Sequence, residues 1–312
     1  MKKESLRSKF LGSLIGTAIG DSLGASLEGL PMVDLSEIRA LGEKRPALVY
    51  TDDTHMMIGV AESLIANRGF DGEHMAHCFM ENYNREPFRG YGSGPPRIFR
   101  MIRGGQAWNK AAGKLYGGGS YGNGSAMRIA PVGVFFYDNP AKLKEVAYKS
   151  SQITHTHELG MEGAALQAYA VALATAAEGS AKFQADEFLA ELIDFMGNEV
   201  YRQKLREIKR LLVEKENKLN IINELGHGVE ALNSVPTAIY SFLSHYSSFE
   251  EAVIYAISLG GDTDTIGAMT GAISGAYLGV QSIPPKWLQK LENREYLEGL
   301  AEGLWRFRES EE

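Results

Sequence analysis

Phe10-Leu11-Gly12-Ser13-Leu14-Ile15-Gly16-Thr17-Ala18-Ile19-Gly20-Asp21-Ser22-Leu23-Gly24 carries a glycine at every fourth position. Near the other end of the chain, Gly267, Gly271, Gly275 and Gly279 repeat the pattern within an apolar run. Residues spaced by four share one face of a helix. An interior glycine costs about 1 kcal/mol relative to alanine in a helix, so two such ladders imply close approach of another backbone. The two helices are therefore expected to cross at the centre of the molecule and bring their flanking residues together.

The flanking residues are acidic. Thr51-Asp52-Asp53-Thr54 precedes the helical pattern Met56, Met57, Val60, Ala61, Leu64, Ile65, and Gly261-Asp262-Thr263-Asp264-Thr265 opens the second glycine helix. Thr or Asp at such positions caps a helix, and carboxylates favour the positive end of its dipole. The same groups are hard oxygen ligands, which suit Mg²⁺ or Mn²⁺ better than Zn²⁺. Residue types alone leave caps and ligands both open.

Helical periodicity dominates elsewhere, over 74–83, 143–151, 159–177, 187–196, 201–219, 235–243 and 249–259. Strand-like alternation is scarce, and 132–136 reads as either. The expected class is all-α, one domain over 1–312 built as a compact multi-helix orthogonal bundle. The 312 residues are 44% hydrophobic and 23% charged, with a net charge of −7. This composition does not suggest a nucleic-acid surface. The uncharged run 266–283 is rich in Gly, Ser and Thr, which argues for a buried helix rather than a membrane span. A single cysteine, Cys78, excludes an intrachain disulfide and fits a reducing, cytoplasmic setting.

Gly117-Gly118-Gly119-Ser120-Tyr121-Gly122-Asn123-Gly124 frees backbone N–H groups for an anion. A helix start at 125–129 would add a favourable dipole. Gly90-Tyr91-Gly92-Ser93-Gly94 is a weaker version, and Thr154-His155-Thr156-His157 opens a helix with a capping or ligand-contacting histidine.

Taken in order, Gly20-Asp21-Ser22-Leu23-Gly24 with Glu28, Thr51 to Thr54, Gly119 to Arg128, Ser150 to His155 and Gly260 to Ile266 resemble the ADP-ribosylglycohydrolase family. The resemblance implies an all-α fold with a central cleft holding two Mg²⁺, or Mn²⁺, that cleaves the glycosidic bond between ADP-ribose and a modified group. It implies Thr51, Asp52, Asp53, Asp262, Asp264 and Thr265 as metal ligands and Glu28 as the catalytic carboxylate. Gly119, Ser120, Tyr121, Gly122 and Asn123 would hold the pyrophosphate and distal ribose beside His155, with Gly92, Ser93 and Gly94 along the phosphate path. Gly228 and Val229 resemble the segment that flanks adenine. The aromatic residue that stacks on adenine in related enzymes has Leu115 at its nearest position, with Tyr116 one residue away as the candidate.

Within the family, Gly-Ser-Tyr-Gly-Asn-Gly and 225–240 look most like the serine-directed, O-linkage type. An arginine-directed glycohydrolase, a non-catalytic ADP-ribose-binding protein and a structural protein are the alternatives. The expected partner is an ADP-ribosylated protein or an ADP-ribose-containing small molecule, met by a monomer without nucleic acid or membrane.

Overall fold

The computed structural model describes residues 3–177 and 183–311. Its helices are α1 (Lys3–Gly24), α2 (Leu35–Lys44), α3 (Asp52–Asn67), α4 (Gly72–Arg85), α5 (Gly94–Arg103), α6 (Ala111–Leu115), α7 (Ala130–Phe135), α8 (Pro140–Ser151) and α9 (Glu158–Ala176). They continue as α10 (Ala185–Phe195), α11 (Glu199–Glu214), α12 (Lys218–Leu225), α13 (Ala231–Ser244), α14 (Phe249–Ser258), α15 (Thr263–Leu278), α16 (Pro285–Lys290) and α17 (Arg294–Glu311). No strand occurs among the described residues; two isolated bridges, Leu48 with Leu291 and Gly122 with Glu230, are the only sheet-like pairings there. The all-α expectation holds.

The two glycine helices form the axis. A Cβ placed on Gly12, Gly16 or Gly20 of α1 would lie 2.2, 2.3 or 2.0 Å from the carbonyl oxygen of Gly275, Gly271 or Gly267. As one number rises by four its partner falls by four, so α1 and α15 run antiparallel with backbones in direct contact. At the end of the ladder Gly24 meets Thr263, whose hydroxyl donates to the Gly24 carbonyl at 2.9 Å. α1 is buried from Lys9 to Gly24 and α15 from Thr263 to Ala276. Lys3–Leu27 is long and apolar enough to cross a membrane, but 83% of that window is buried inside the fold.

Other elements depart from the periodicity. The expected single helix over 201–219 is two, α11 and α12, because Lys215 adopts a left-handed φ of 53° and Asn217 starts a new helix by accepting from the Asn220 N–H. The ambiguous 132–136 run is helical within α7 as far as Phe135, and Phe136 caps it. No helix begins at 125. Asn123–Ser125 is one 3-10 turn, the Asn123 carbonyl takes the N–H groups of both Ala126 and Met127, and the helix waits until Ala130, where Pro131 fits the first turn. The dipole expected behind the glycine-rich loop is therefore absent. Cys78 is half-buried, and burial pushes its thiol up to about 12.

Candidate active site

Asp52 and Asp53 lie in the first turn of α3, and Thr51 caps it, its hydroxyl accepting from the Asp53 N–H at 3.3 Å. The cap role falls to the threonine, which leaves the carboxylates free. Asp262 sits at the cap position of α15 but makes no capping hydrogen bond, and Asp264 and Thr265 follow in the first turn. One oxygen of Asp264 accepts from the Thr265 N–H at 2.9 Å. Both acidic segments thus meet where the glycine ladder ends.

Asp21 organises the floor. It is fully buried on α1 and accepts from the Thr51 N–H at 3.0 Å, the Thr54 N–H at 3.0 Å and the Thr54 hydroxyl at 2.6 Å. Sequence reading noted this aspartate without giving it a role. Its placement inside a glycine-ladder helix, where a charge has no solvent to face, was the available signal.

Glu28 ends the 3-10 turn after α1 and is exposed at the mouth. The loop behind it is fixed by Gly29 N–H to Gly261 carbonyl (2.8 Å) and Gly261 N–H to Leu30 carbonyl (2.9 Å). Carboxylate oxygens of Glu28, Asp262 and Asp264 lie within 4.8 Å of one another. Burial, with repulsion among neighbours, raises the carboxyls of Asp52 to about 7 and Asp264 to about 9, and raises those of Asp53 and Asp262 as well. Asp53 keeps one buried oxygen with no hydrogen-bond partner. A buried oxygen without a donor, among carboxylates that repel one another, fits a divalent cation.

The opposite wall is the glycine-rich loop. The Asn123 amide donates to Asp262 and, at 3.0 Å, to the Ser234 hydroxyl, tying the loop to the second acidic segment. The loop is held by Asn123 N–H to Val229 carbonyl (2.9 Å) and Ala231 N–H to Tyr121 carbonyl (3.0 Å). Gly119 has φ +85°, and a Cβ there would lie 2.4 Å from the His157 nitrogen, so only glycine fits. His157 is the cap of α9, accepting from the Leu159 N–H. His155 lines the cavity: burial, with the Arg128 charge, pushes its imidazole down to about 3, which favours the neutral form.

These walls enclose a cavity of about 260 Å³. All six expected metal ligands line it, with Glu28, Gly92, Gly122, Asn123, His155 and Val229. Ser93, Gly94, Tyr116, Gly119, Ser120, Tyr121 and Gly228 stand outside its lining. Tyr116 places its hydroxyl against Gly94, where a Cβ would be 2.6 Å from it. Tyr121 is half exposed and meets His157 edge-on at 5.6 Å. Gly90 and Gly124, from the two glycine-rich loops, also line it, and Pro95, Met56, Met127 and Arg128 complete the lining without having been given a site role. Arg128 is fully buried, donates to the Ser150 carbonyl at 3.1 Å and stacks 4.6 Å over Phe79. It has no carboxylate hydrogen-bond partner among the described residues, and burial pushes it down to about 9.

The profile of the ADP-ribosylglycohydrolase family matches residues 2–312. ADP-ribosylhydrolase ARH3 of Bos taurus is 37% identical, covering 96% of this chain and 93% of that protein; that of Homo sapiens is 36% identical with the same coverage. ADP-ribosylarginine hydrolase Tri1 of Serratia proteamaculans is 29% identical, covering 97% and 80%. A solved structure titled ADP-ribosylglycohydrolase-related protein complex superposes with a TM-score of 0.76 at 30% identity, covering 97% of this chain and 99% of that one.

Proposed function

We propose, from the premise that this chain belongs to the ADP-ribosylglycohydrolase family, that it cleaves O-linked ADP-ribose, with ADP-ribosyl-serine as the foremost substrate. It is a hydrolase of ADP-ribose glycosidic bonds in a metal-dependent family. The O-linkage is supported by the higher identity to the ARH3 proteins than to the arginine hydrolase. The observation that carries the reading is the carboxylate group at the foot of the glycine ladder, with Glu28 at its mouth.

Thr51, Asp52, Asp53, Asp262, Asp264 and Thr265 would hold two Mg²⁺ ions. When bound, these supply positive charge that polarises ribose oxygens and lowers the pKa of water. The chain's own residues do the rest. Asp21 fixes the Thr51–Thr54 turn, and Asn123 fixes Asp262. His155, neutral, offers Nε2 beside Gly122 and Gly124 for one sugar or phosphate hydrogen bond. Its Nδ1 is engaged by the Thr154 hydroxyl at 2.7 Å. Glycoside hydrolysis ordinarily uses two carboxyl groups. Here Glu28, the exposed member of its group, exchanges the proton with water or the leaving oxygen. A panel of serine-, arginine- and O-acetyl-linked ADP-ribose, each with Mg²⁺ and Mn²⁺, tests the reading. Cleavage of the arginine linkage alone would overturn it.

A further inference from the structure

The net charge of −7 hides a local reversal. Between Glu86 and Asp138 there is no Asp or Glu, while Arg89, Arg97, Arg100, Arg103, Lys110, Lys114 and Arg128 supply seven positive charges. The rest of the chain is left at −14.

Five of those cations stand on one structural unit. Helices α5 and α6 pack through a small apolar cluster of Ile98, Ala111 and Ala112. Arg97, Arg100, Arg103, Lys110 and Lys114 are all exposed. None is ion-paired among the described residues: Arg103 reaches the Met80 carbonyl and Lys114 the Gln106 side chain. Elsewhere on the surface, Arg39 and Arg210 each engage two or more carboxylates. An acidic protein that leaves these five without counter-charges presents an attractive field to an anion.

The unit adjoins the cavity. Gly92 and Pro95, at the start of α5, line it, and Tyr116, just past α6, rests on Gly94. The loop leading into α5 also exposes Phe88 at 98%, while its neighbour Arg89 is pinned to the Tyr50 carbonyl and to Glu292. An aromatic side chain held in water on the loop that leads into an arginine-bearing helix has the composition of a protein-recognition surface.

Resting on the hydrolase reading above, we infer that the α5–α6 unit is a docking surface for the polypeptide that carries ADP-ribose, and that it selects carboxylate-rich sequence around the modified residue. Three helical residues advance about 4.5 Å, so Arg97, Arg100 and Arg103 present about one cation per turn. Acidic side chains along an extended peptide recur at comparable intervals, since each residue advances about 3.3 Å. An ADP-ribose polymer carries one pyrophosphate for each adenine and pair of riboses, a coarser repeat that matches this row less well.

The test compares wild type with Arg97→Glu/Arg100→Glu, at two exposed sites without ion-pair partners. Substrates are two fluorescent ADP-ribosyl-serine peptides, one flanked by Asp and Glu and one by Asn and Gln, together with O-acetyl-ADP-ribose. Anisotropy reads docking of both peptides whether or not the bond is cut. Wild type should bind and cleave the acidic peptide about tenfold better than the neutral one at low salt. The variant should lose that preference while turning over O-acetyl-ADP-ribose as wild type does. Equal binding of the two peptides by wild type, or an unchanged preference in the variant, overturns the inference. So does an arginine dependence confined to ADP-ribose polymer, bound and cleaved in parallel with the peptides. If no substrate is cleaved, the hydrolase reading fails while the anisotropy still decides docking.

Discussion

Gly271→Ala places a methyl group 2.1 Å from the Gly16 carbonyl oxygen and 2.7 Å from its carbon, where ordinary contact begins at 3.4 Å. Both obstacles are backbone, so no rotamer change relieves them. Relief requires α1 and α15 to part by about 1 Å, loosening contacts along the whole ladder in a close-packed interior. Alanine gains about 1 kcal/mol of helix propensity over glycine, and overpacking costs about 1–3 kcal/mol or more. With several ladder contacts strained together, a net loss of about 2 kcal/mol or more is expected, lowering Tm by about 3 °C or more. Gly299→Ala is the control. It lies in a helix, exposed, with nothing within 4 Å of its would-be Cβ. It should gain about 0.5–1 kcal/mol and raise Tm. Thermal unfolding of both variants, with calorimetric titration of Mg²⁺, reads stability and site together. Gly271→Ala should also bind Mg²⁺ more weakly, because parting the helices moves Asp264 from Asp53. If both alanines stabilise equally and leave Mg²⁺ binding intact, the ladder is not what assembles the site.

Asp21→Asn keeps the shape but weakens the acceptor for Thr51 and Thr54; Mg²⁺ affinity should fall about 10–100-fold, read by titration calorimetry, as when a group orienting a ligand is lost. Glu28→Gln should lower kcat about 100-fold or more with a small change in ADP-ribose affinity, measured by steady-state kinetics and calorimetry; wild-type turnover would remove Glu28 from proton transfer. Stability should fall with rising pH in the metal-free protein, and bound metal should offset that fall. The raised carboxyls of Asp52 and Asp264 make the folded metal-free protein bind more protons than the unfolded chain, so their contribution is full below about 3.8 and is lost as pH rises through about 7 and about 9. In chelator, Tm should therefore fall from about pH 6 to about pH 8, whereas Mg²⁺, which binds the ionised form, should raise Tm more at the higher pH. An equal Mg²⁺-induced shift at both pH values would count against the cluster as the metal site. Lys9→Ala should cost about 2 kcal/mol or more in chemical denaturation, because the buried ammonium donates to the carbonyls of Ala174, Thr175 and Ala177 at the end of α9.

The ladders and the two acidic segments were legible because each is local and periodic. Four-residue spacing puts glycine on one face, and the register that follows brings Thr51–Asp53 to Asp262–Thr265. What escaped depends on distant partners. Arg128 lies in a recognisable segment, yet its burial over Phe79 and its bond to Ser150 come from α4 and α8. The helix start expected at 125 failed because the Asn123 carbonyl closes a tight turn first. Helix α5 was not among the expected helices; it opens on Pro95-Pro96, and proline suits a first helical turn. Its arginines disappeared into a net charge of the opposite sign.

The central claim is that carboxylates gathered at the foot of the glycine ladder hold the metal that cleaves ADP-ribose from its acceptor. Release of free ADP-ribose from an ADP-ribosyl-serine peptide, followed by chromatography for wild type and Asp264→Ala with Mg²⁺ or excess chelator, tests it most directly. Release by wild type in Mg²⁺, abolished both by chelator and by the substitution, is the predicted result. Undiminished release by Asp264→Ala in excess chelator would contradict it.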